Sequence, residues 1–182
     1  MVAAALLTTV SSNVAHNYAS LQIHGYSWLR NTIGESAGQC SPAAWPGRLG
    51  LLAFALSAWL VAARRRNCRP VSALLYLGFG VAVLFTAYFP TNSWPYLENF
   101  DANADSLHQF AAALAVILAS AAIAVDVEHA RGRDALMNVS LFAVIAFPAL
   151  GYSIPSINGA LDRVVFALIL VHLWRLTSDT SS

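Results

Sequence analysis

The chain has 182 residues, of which 58% are apolar and only 10% are Asp, Glu, Lys or Arg. A soluble domain carries about 45–50% apolar and about 25% charged residues, so a disordered chain, a disulfide scaffold and a nucleic-acid binder are disfavoured at once. All ten basic residues are Arg, and the net charge is only +1, which supplies no electrostatic footprint for nucleic acid.

The first element, Val2–Ser20, begins apolar and turns polar from Ser11. Asn13, His16, Asn17 and Ser20 fall at i, i+3, i+4 and i+7, so they share one helical face. That pattern suits a helix whose polar face looks into a bundle. A signal peptide is the rival reading, but it needs a positive start, and no Lys or Arg precedes Arg30. Five clearer spans follow: Trp45–Ala63, Val71–Phe89, Leu107–Val125, Ala135–Tyr152 and Ser156–Trp174. Each is 18 or 19 residues long, enough to cross about 30 Å of hydrocarbon at about 1.5 Å per residue. Backbone groups inside lipid must be satisfied within the segment, so these are helices. None shows the alternation of a membrane β-strand. The expectation is an all-α transmembrane bundle of about six spans, forming one domain over residues 1–182.

Orientation follows from the arginines. Arg64, Arg65, Arg66 and Arg69 lie in one turn, Arg131 and Arg133 in another, and Arg175 follows the last span. The other side holds Arg30, Arg48 and Arg163. The positive-inside rule makes the Arg-rich turns cytoplasmic and the protein a multi-pass component of the cell membrane. The loops Leu21–Ala44, Pro90–Ser106 and Ser153–Pro155 then face outward. Trp28, Trp45, Trp94, Tyr96 and Tyr152 fall near that outer interface. Ala111, Ala115, Ala119 and Ala122 form a small-residue stripe that lets helices approach closely, with Gly78 and Gly80 in the same role on another span. Pro148 is expected to kink its helix. Cys40 and Cys68 fall at opposite faces, too far apart for a disulfide.

The outer side gathers His24, Arg30, Glu35, Glu98, Asp101, Asp105, His108, Asp162 and Arg163. Asp162 and Arg163 matter most, because they lie inside an apolar segment, about 9–11 Å of helix rise below its outer end. A charge at the bilayer centre costs about 2.5–3.5 kcal/mol on insertion scales, so both should face the interior and find partners. Glu35 is a candidate partner for Arg163. Two readings stay open: an internal ion pair that sets helix register, or part of a ligand site. His108 opens its span and reads as either a proton relay or an interfacial cap. The long outer loop with Asn92, Trp94, Tyr96, Glu98, Asn99, Asp101, Asn103 and Asp105 reads as a solvated connection or as a lid. His129 and His172, on the cytoplasmic side, read as incidental, and the Arg cluster as topology and anionic-lipid contact. No HExxH, GxSxG, Walker or Rossmann pattern occurs, and no ligand spacing supports a metal.

Three short runs resemble the DUF998 family of small polytopic membrane proteins. Gly25–Gly38 is similar to the family's first outer loop, in which an aromatic and a polar stretch lead to Ile-Ser-Glu-Leu-Gly; here Glu35 matches, while Gly34 and Ser36 depart. Phe89-Pro90-Thr91-Asn92, followed by Leu107-His108, resembles a Phe-Pro-Thr-Asp…Leu-His pattern, with Asn92 for Asp. Asn158–Arg163 resembles Gly-x-x-Glu-Arg, with Asp162 for Glu. The resemblance implies a six-helix bundle and supplies no activity. From the residues themselves, two function classes survive. In one, an intramembrane pocket open to the outer side binds a lipid-soluble ligand, an isoprenoid or acyl compound. Glu35, His108 and Asp162 then serve as candidate acid-base groups, and His24, Arg30, Asn92 and Arg163 as ligand-binding groups. In the other, the bundle is a non-enzymatic lipid-binding, transport or scaffold subunit. Membrane lipid or a lipid-soluble small molecule is the expected partner; no nucleic acid, metal or cofactor is expected.

Overall fold

The structure, a computed structural model, describes residues 2–41, 44–92, 99–129 and 134–178. Among these, seven α-helices occur and no strand: α1 (Val2–Leu21), α2 (Ile33–Ser36), α3 (Ala44–Arg65), α4 (Pro70–Tyr88), α5 (Ala102–His129), α6 (Ala135–Ser153) and α7 (Asn158–Ser178). A single 3-10 turn, Pro155–Ile157, leads into α7. Five helices, α3 to α7, are long and apolar enough to cross a membrane. The chain is therefore an all-α, multi-pass helical membrane protein. α1 is not one of those five; it is a 20-residue helix packed along α3 and α7.

Local chemistry sets the helix ends. Pro70 opens α4, where its missing N–H is no loss. Asp134 caps α6 by accepting from the amides of Leu136 and Met137. The Asp101 carboxylate accepts from the amides of Asn103 and Ala104, at 2.9 and 3.0 Å. That cap starts α5 at Ala102, five residues ahead of the span read from hydropathy at Leu107. The helix also runs past Val125 to His129. α2 interrupts what read as a plain outer loop. Thr32 Oγ1 accepts from the Glu35 amide, and the Glu35 carboxylate accepts from the Thr32 amide at 2.7 Å, a capping box. α6 runs through Pro148 to Ser153.

Consecutive long helices pack as neighbours, and α7 returns to α1 and α3. The ring closes around an aromatic centre: Phe54 meets Phe79 at 5.3 Å and Phe166 at 4.3 Å between ring centroids. Ala111, Ala115, Ala119 and Ala122 are all buried, as their spacing predicts. Gly80 is the close approach on α4: a Cβ there would lie 3.0 Å from the Ala55 carbonyl oxygen of α3. Gly78 meets only ordinary contact from Leu118. The outward faces carry Leu74, Phe85, Phe110, Ile117, Phe142 and Ile145, all exposed. An apolar belt of that extent needs a lipid solvent.

On α1, Ser12, His16 and Ser20 turn inward, with Ser12 Oγ donating to the Gly50 carbonyl at 2.7 Å. Asn13 is half-buried and Asn17 exposed. The inward stripe is thus rotated from the one read off the sequence, because α1 seats its His16 ring against Gly50 of α3, where a Cβ would collide with it.

Candidate functional site

The polar groups sort into two clusters at opposite ends of the bundle. At the end carrying α2, a cavity of about 260 Å³ opens between α3, α4, α5 and α7. Its wall is apolar, with Phe54, Phe79, Val83, Ala115 and Phe166 among the lining residues. Thr32, Gly34, Thr86, His108 and Asp162 supply the polar part. An engineered apolar cavity of about 150 Å³ already binds benzene, and drug-sized sites begin near 300 Å³. The space is thus intermediate between the two in size.

His108 is buried, and its Nδ1 faces the carbonyls of Thr86 and Phe89, at 3.0 and 2.8 Å. Two acceptors there require Nδ1 to carry the proton, so in the neutral ring Nε2 is the acceptor. A Cβ on Gly34 would lie 3.0 Å from that Nε2. Glycine at this position therefore lets α2 lie against the imidazole. Asp162 accepts from the Ile33 amide through Oδ2 at 2.8 Å. Its other oxygen has no hydrogen bond to the described residues. The capping box around Thr32 and Glu35 thus presents one backbone donor to Asp162 and one glycine to His108. Glu35 itself serves the cap, so its part is to position α2.

Arg163 turns to the other side of α7. Its Nη1 donates to the carbonyls of Trp28, Asn31 and Gly159, at 3.0, 2.8 and 2.9 Å, and its Nη2 donates to the Tyr26 hydroxyl at 2.9 Å. It also lies over the rings of Tyr26 and Trp28, 5.6 and 5.4 Å from their centroids. The Glu35–Arg163 pair expected from the sequence is not formed. Arg163 instead pins the loop between α1 and α2 onto α7, and Gly159 permits the contact because a Cβ there would collide with Asn31. Burial raises the Tyr26 hydroxyl pKa above its ordinary value, against the opposing pull of Arg163. The hydroxyl therefore stays a donor, to the Thr32 carbonyl at 2.6 Å.

His24 and Arg30 are exposed on this loop and do not line the cavity. Asn92 is half-buried, and its amide donates to Asp105 at 2.8 Å, also outside the cavity. Trp94, Tyr96 and Glu98 lie outside the described residues. Among the described residues no cluster of His, Cys, Asp and Glu could hold a metal.

The other cluster lies at the Arg-turn end and was not legible as a site. Asp126 is fully buried and pairs with Arg65. It also accepts from Ser72 Oγ at 3.1 Å and from the Tyr76 hydroxyl at 2.7 Å. The Tyr76 oxygen lies 2.8 Å from His172 Nε2, and Arg69 stands 3.8 Å from Asp126. The Tyr76 proton goes to Asp126, so His172 Nε2 donates to Tyr76. Arg65 and His172 are therefore neither a plain topology signal nor incidental: both are buried members of one network. The missed signal was the continuation of the alanine stripe. Residues 111, 115, 119, 122 and 126 share one face of α5, so Asp126 had to point inward.

Comparison of the chain with protein-family models, with characterised proteins and with solved structures gives no match.

Proposed function

We propose that this is a multi-pass protein of the cell membrane whose internal cavity binds the chain of a lipid-soluble ligand, acyl or isoprenoid, from the extracytoplasmic half. The observation that carries the reading is an apolar cavity bearing two proton-exchanging groups with spare capacity. His108 Nε2 is an open acceptor, held in that tautomer by two carbonyls. Asp162 uses one oxygen on Ile33 and keeps the other. Such a pair can take a proton from a ligand at one atom and return it at another. The Arg asymmetry motivates the orientation, with the turns at Arg64–Arg69 and Arg131–Arg133 cytoplasmic. The resemblance to DUF998 proteins agrees with this reading and adds no activity to it.

The test is the lipid carried through purification by the wild-type protein and by Ala115→Phe, which places a ring in the cavity. Wild type should retain one defined lipid species, and Ala115→Phe should lose it while still folding. Equal retention by both overturns the reading. Chemical change of that lipid on incubation, abolished by His108→Ala and Asp162→Asn, distinguishes an enzyme from a binding protein.

A further inference from the structure

We propose that a second cavity, between α1 and α7, receives the anionic oxygens of a headgroup, a carboxylate or a phosphate. The proposal rests on the chain-binding reading of the first cavity and names the ligand class: a single-chain amphiphile with an oxyanion head.

The second cavity has a volume of about 190 Å³ and is bounded by Asn13, His16 and Asn17 of α1 and by Arg163, Phe166 and Ala167 of α7, with Ile33 of α2. His16 is only 4% exposed, and neither ring nitrogen has a hydrogen-bond partner. Buried imidazoles are normally satisfied, because an unpaired polar atom forfeits its hydration without return. The ring is nevertheless firmly placed. It stands edge-on to Phe166 at 5.1 Å, and a Cβ on Gly50 would lie 2.7 Å from Nε2. Glycine in α3 is thus the condition for holding the imidazole here. A placed, buried donor without a partner is what a ligand acceptor would complete.

Arg163 supplies the charge. Every oxygen it bonds is neutral: three carbonyls and one phenol. No carboxylate of the described residues lies in ion-pair contact with it. A guanidinium has five N–H groups, and Nε and the second Nη2 hydrogen take no part in those bonds. The cation is therefore held in place by dipoles with donors in reserve; the neighbouring Asp162 acts on it through space but makes no contact ion pair with it. That is the arrangement that favours an oxyanion over an alcohol or an amine. Asp162 lines the first cavity and is tied to Ile33, so it does not occupy the Arg163 donors that face the second. Ile33 and Phe166 line both cavities, so a single side-chain layer separates head from tail.

The experiment uses the full-length protein, delipidated, in phosphatidylcholine nanodiscs. The probes are oleate, oleyl alcohol and inorganic phosphate, read by melting temperature and by titration. Wild type should bind oleate about tenfold or more tightly than oleyl alcohol, as a gained charge-assisted contact requires. His16→Leu removes the unpartnered imidazole, and Ala167→Trp fills the cavity from an exposed position one turn beyond Arg163. Both should abolish the oleate preference and leave the response to oleyl alcohol. His16→Leu should not melt below wild type, because no hydrogen bond is lost. Phosphate alone matching the oleate response would support the oxyanion site and assign it to a free ion. Equal binding of oleate and oleyl alcohol by wild type overturns the headgroup site and leaves the chain cavity standing. A preference for oleate that survives both substitutions also overturns it. Silence toward all three probes overturns both.

Discussion

Asp126 offers the sharpest test of how this bundle is held. It is fully buried, and Arg65, 8% exposed, is its ion-pair partner. Asp126→Ala leaves that guanidinium buried and uncompensated. Breaking one side of a buried pair typically costs about 3–5 kcal/mol. At about 2–4 °C per kcal/mol for a chain of this length, melting should fall by roughly 6–20 °C. Tyr76→Phe removes the hydroxyl that bridges Asp126 and His172, leaving Asp126 its Arg65 and Ser72 contacts and His172 Nε2 only a longer 3.4 Å approach to the carboxylate. It should cost about 1–3 kcal/mol. The double variant Arg65→Met, Asp126→Leu, measured beside each of its two single substitutions, removes both charges and fills the space. It should recover most of the loss, because a buried pair rarely outperforms good apolar packing. The assay is thermal unfolding of the purified protein in detergent, read as a double-mutant cycle. A loss below about 2 °C for Asp126→Ala would refute the reasoning. So would a double variant at least as unstable as the sum of its singles.

Asp134→Ala should lose the cap of α6 and the contact with Arg175, whose nitrogen lies 2.9 Å from the carboxylate. Together these are worth about 1–2 kcal/mol by thermal unfolding, since the ion pair is partly exposed. Burial alone would raise the Asp134 pKa, but the Arg175 hydrogen bond and the α6 amides hold it below the ordinary carboxylate value. A depressed folded value makes this stabilisation present above the unfolded pKa, near 4, and lost as pH falls through the folded one; wild type and Asp134→Ala should therefore converge in melting temperature below about pH 4. Arg163→Gln should free the loop between α1 and α2, read as new proteolytic cleavage around residues 22–31 while α3 to α6 stay protected. The two exposed cysteines stand at opposite ends of α3, so an impermeant maleimide on intact cells should label Cys40 and spare Cys68 until lysis; the reverse pattern inverts the orientation.

Much of the fold was legible because lipid imposes a simple rule. A run of 18 apolar residues has one stable backbone, and the five spans fall where hydropathy put them. Their ends did not, because ends are decided by individual hydrogen bonds. Asp101 caps α5 well ahead of Leu107, and hydropathy does not see a cap. The same blindness hid α2, four residues long, whose only signal was Thr32 and Glu35 at capping-box spacing. The alanine stripe on α5 was legible because small residues at i, i+4, i+8 and i+11 have no other use in a packed helix. The face of α1 was read with the right kind of residue and the wrong rotation. Periodicity fixes which residues share a face, while Gly50 on the partner helix, against which the His16 ring lies, decides which face seats deepest.

The two polar clusters invite opposite conclusions, and the difference is one of capacity rather than burial. Around Asp126, each polar group meets another: Arg65, Ser72 and Tyr76 converge on one carboxylate, and His172 closes the set. This network is centred on a buried ion pair, so its work is to lock α3, α4, α5 and α7 together at one end. At the other end the groups are placed but not used up. His108 has one nitrogen committed, Asp162 one oxygen, Arg163 only part of its fork, and His16 nothing. Each is held by backbone: carbonyls for His108 and Arg163, an amide for Asp162, a glycine gap for His16. Backbone anchoring fixes a side chain without consuming its charge, whereas an ion pair consumes it. The sequence argument offered Glu35 as the partner of Arg163, whereas the guanidinium bonds the carbonyls of Trp28, Asn31 and Gly159 and the Tyr26 hydroxyl, groups whose place in the fold charge alone does not reveal. Spare capacity beside an apolar cavity is the property a ligand site needs, and in this bundle it occurs where α2 folds down between the helices.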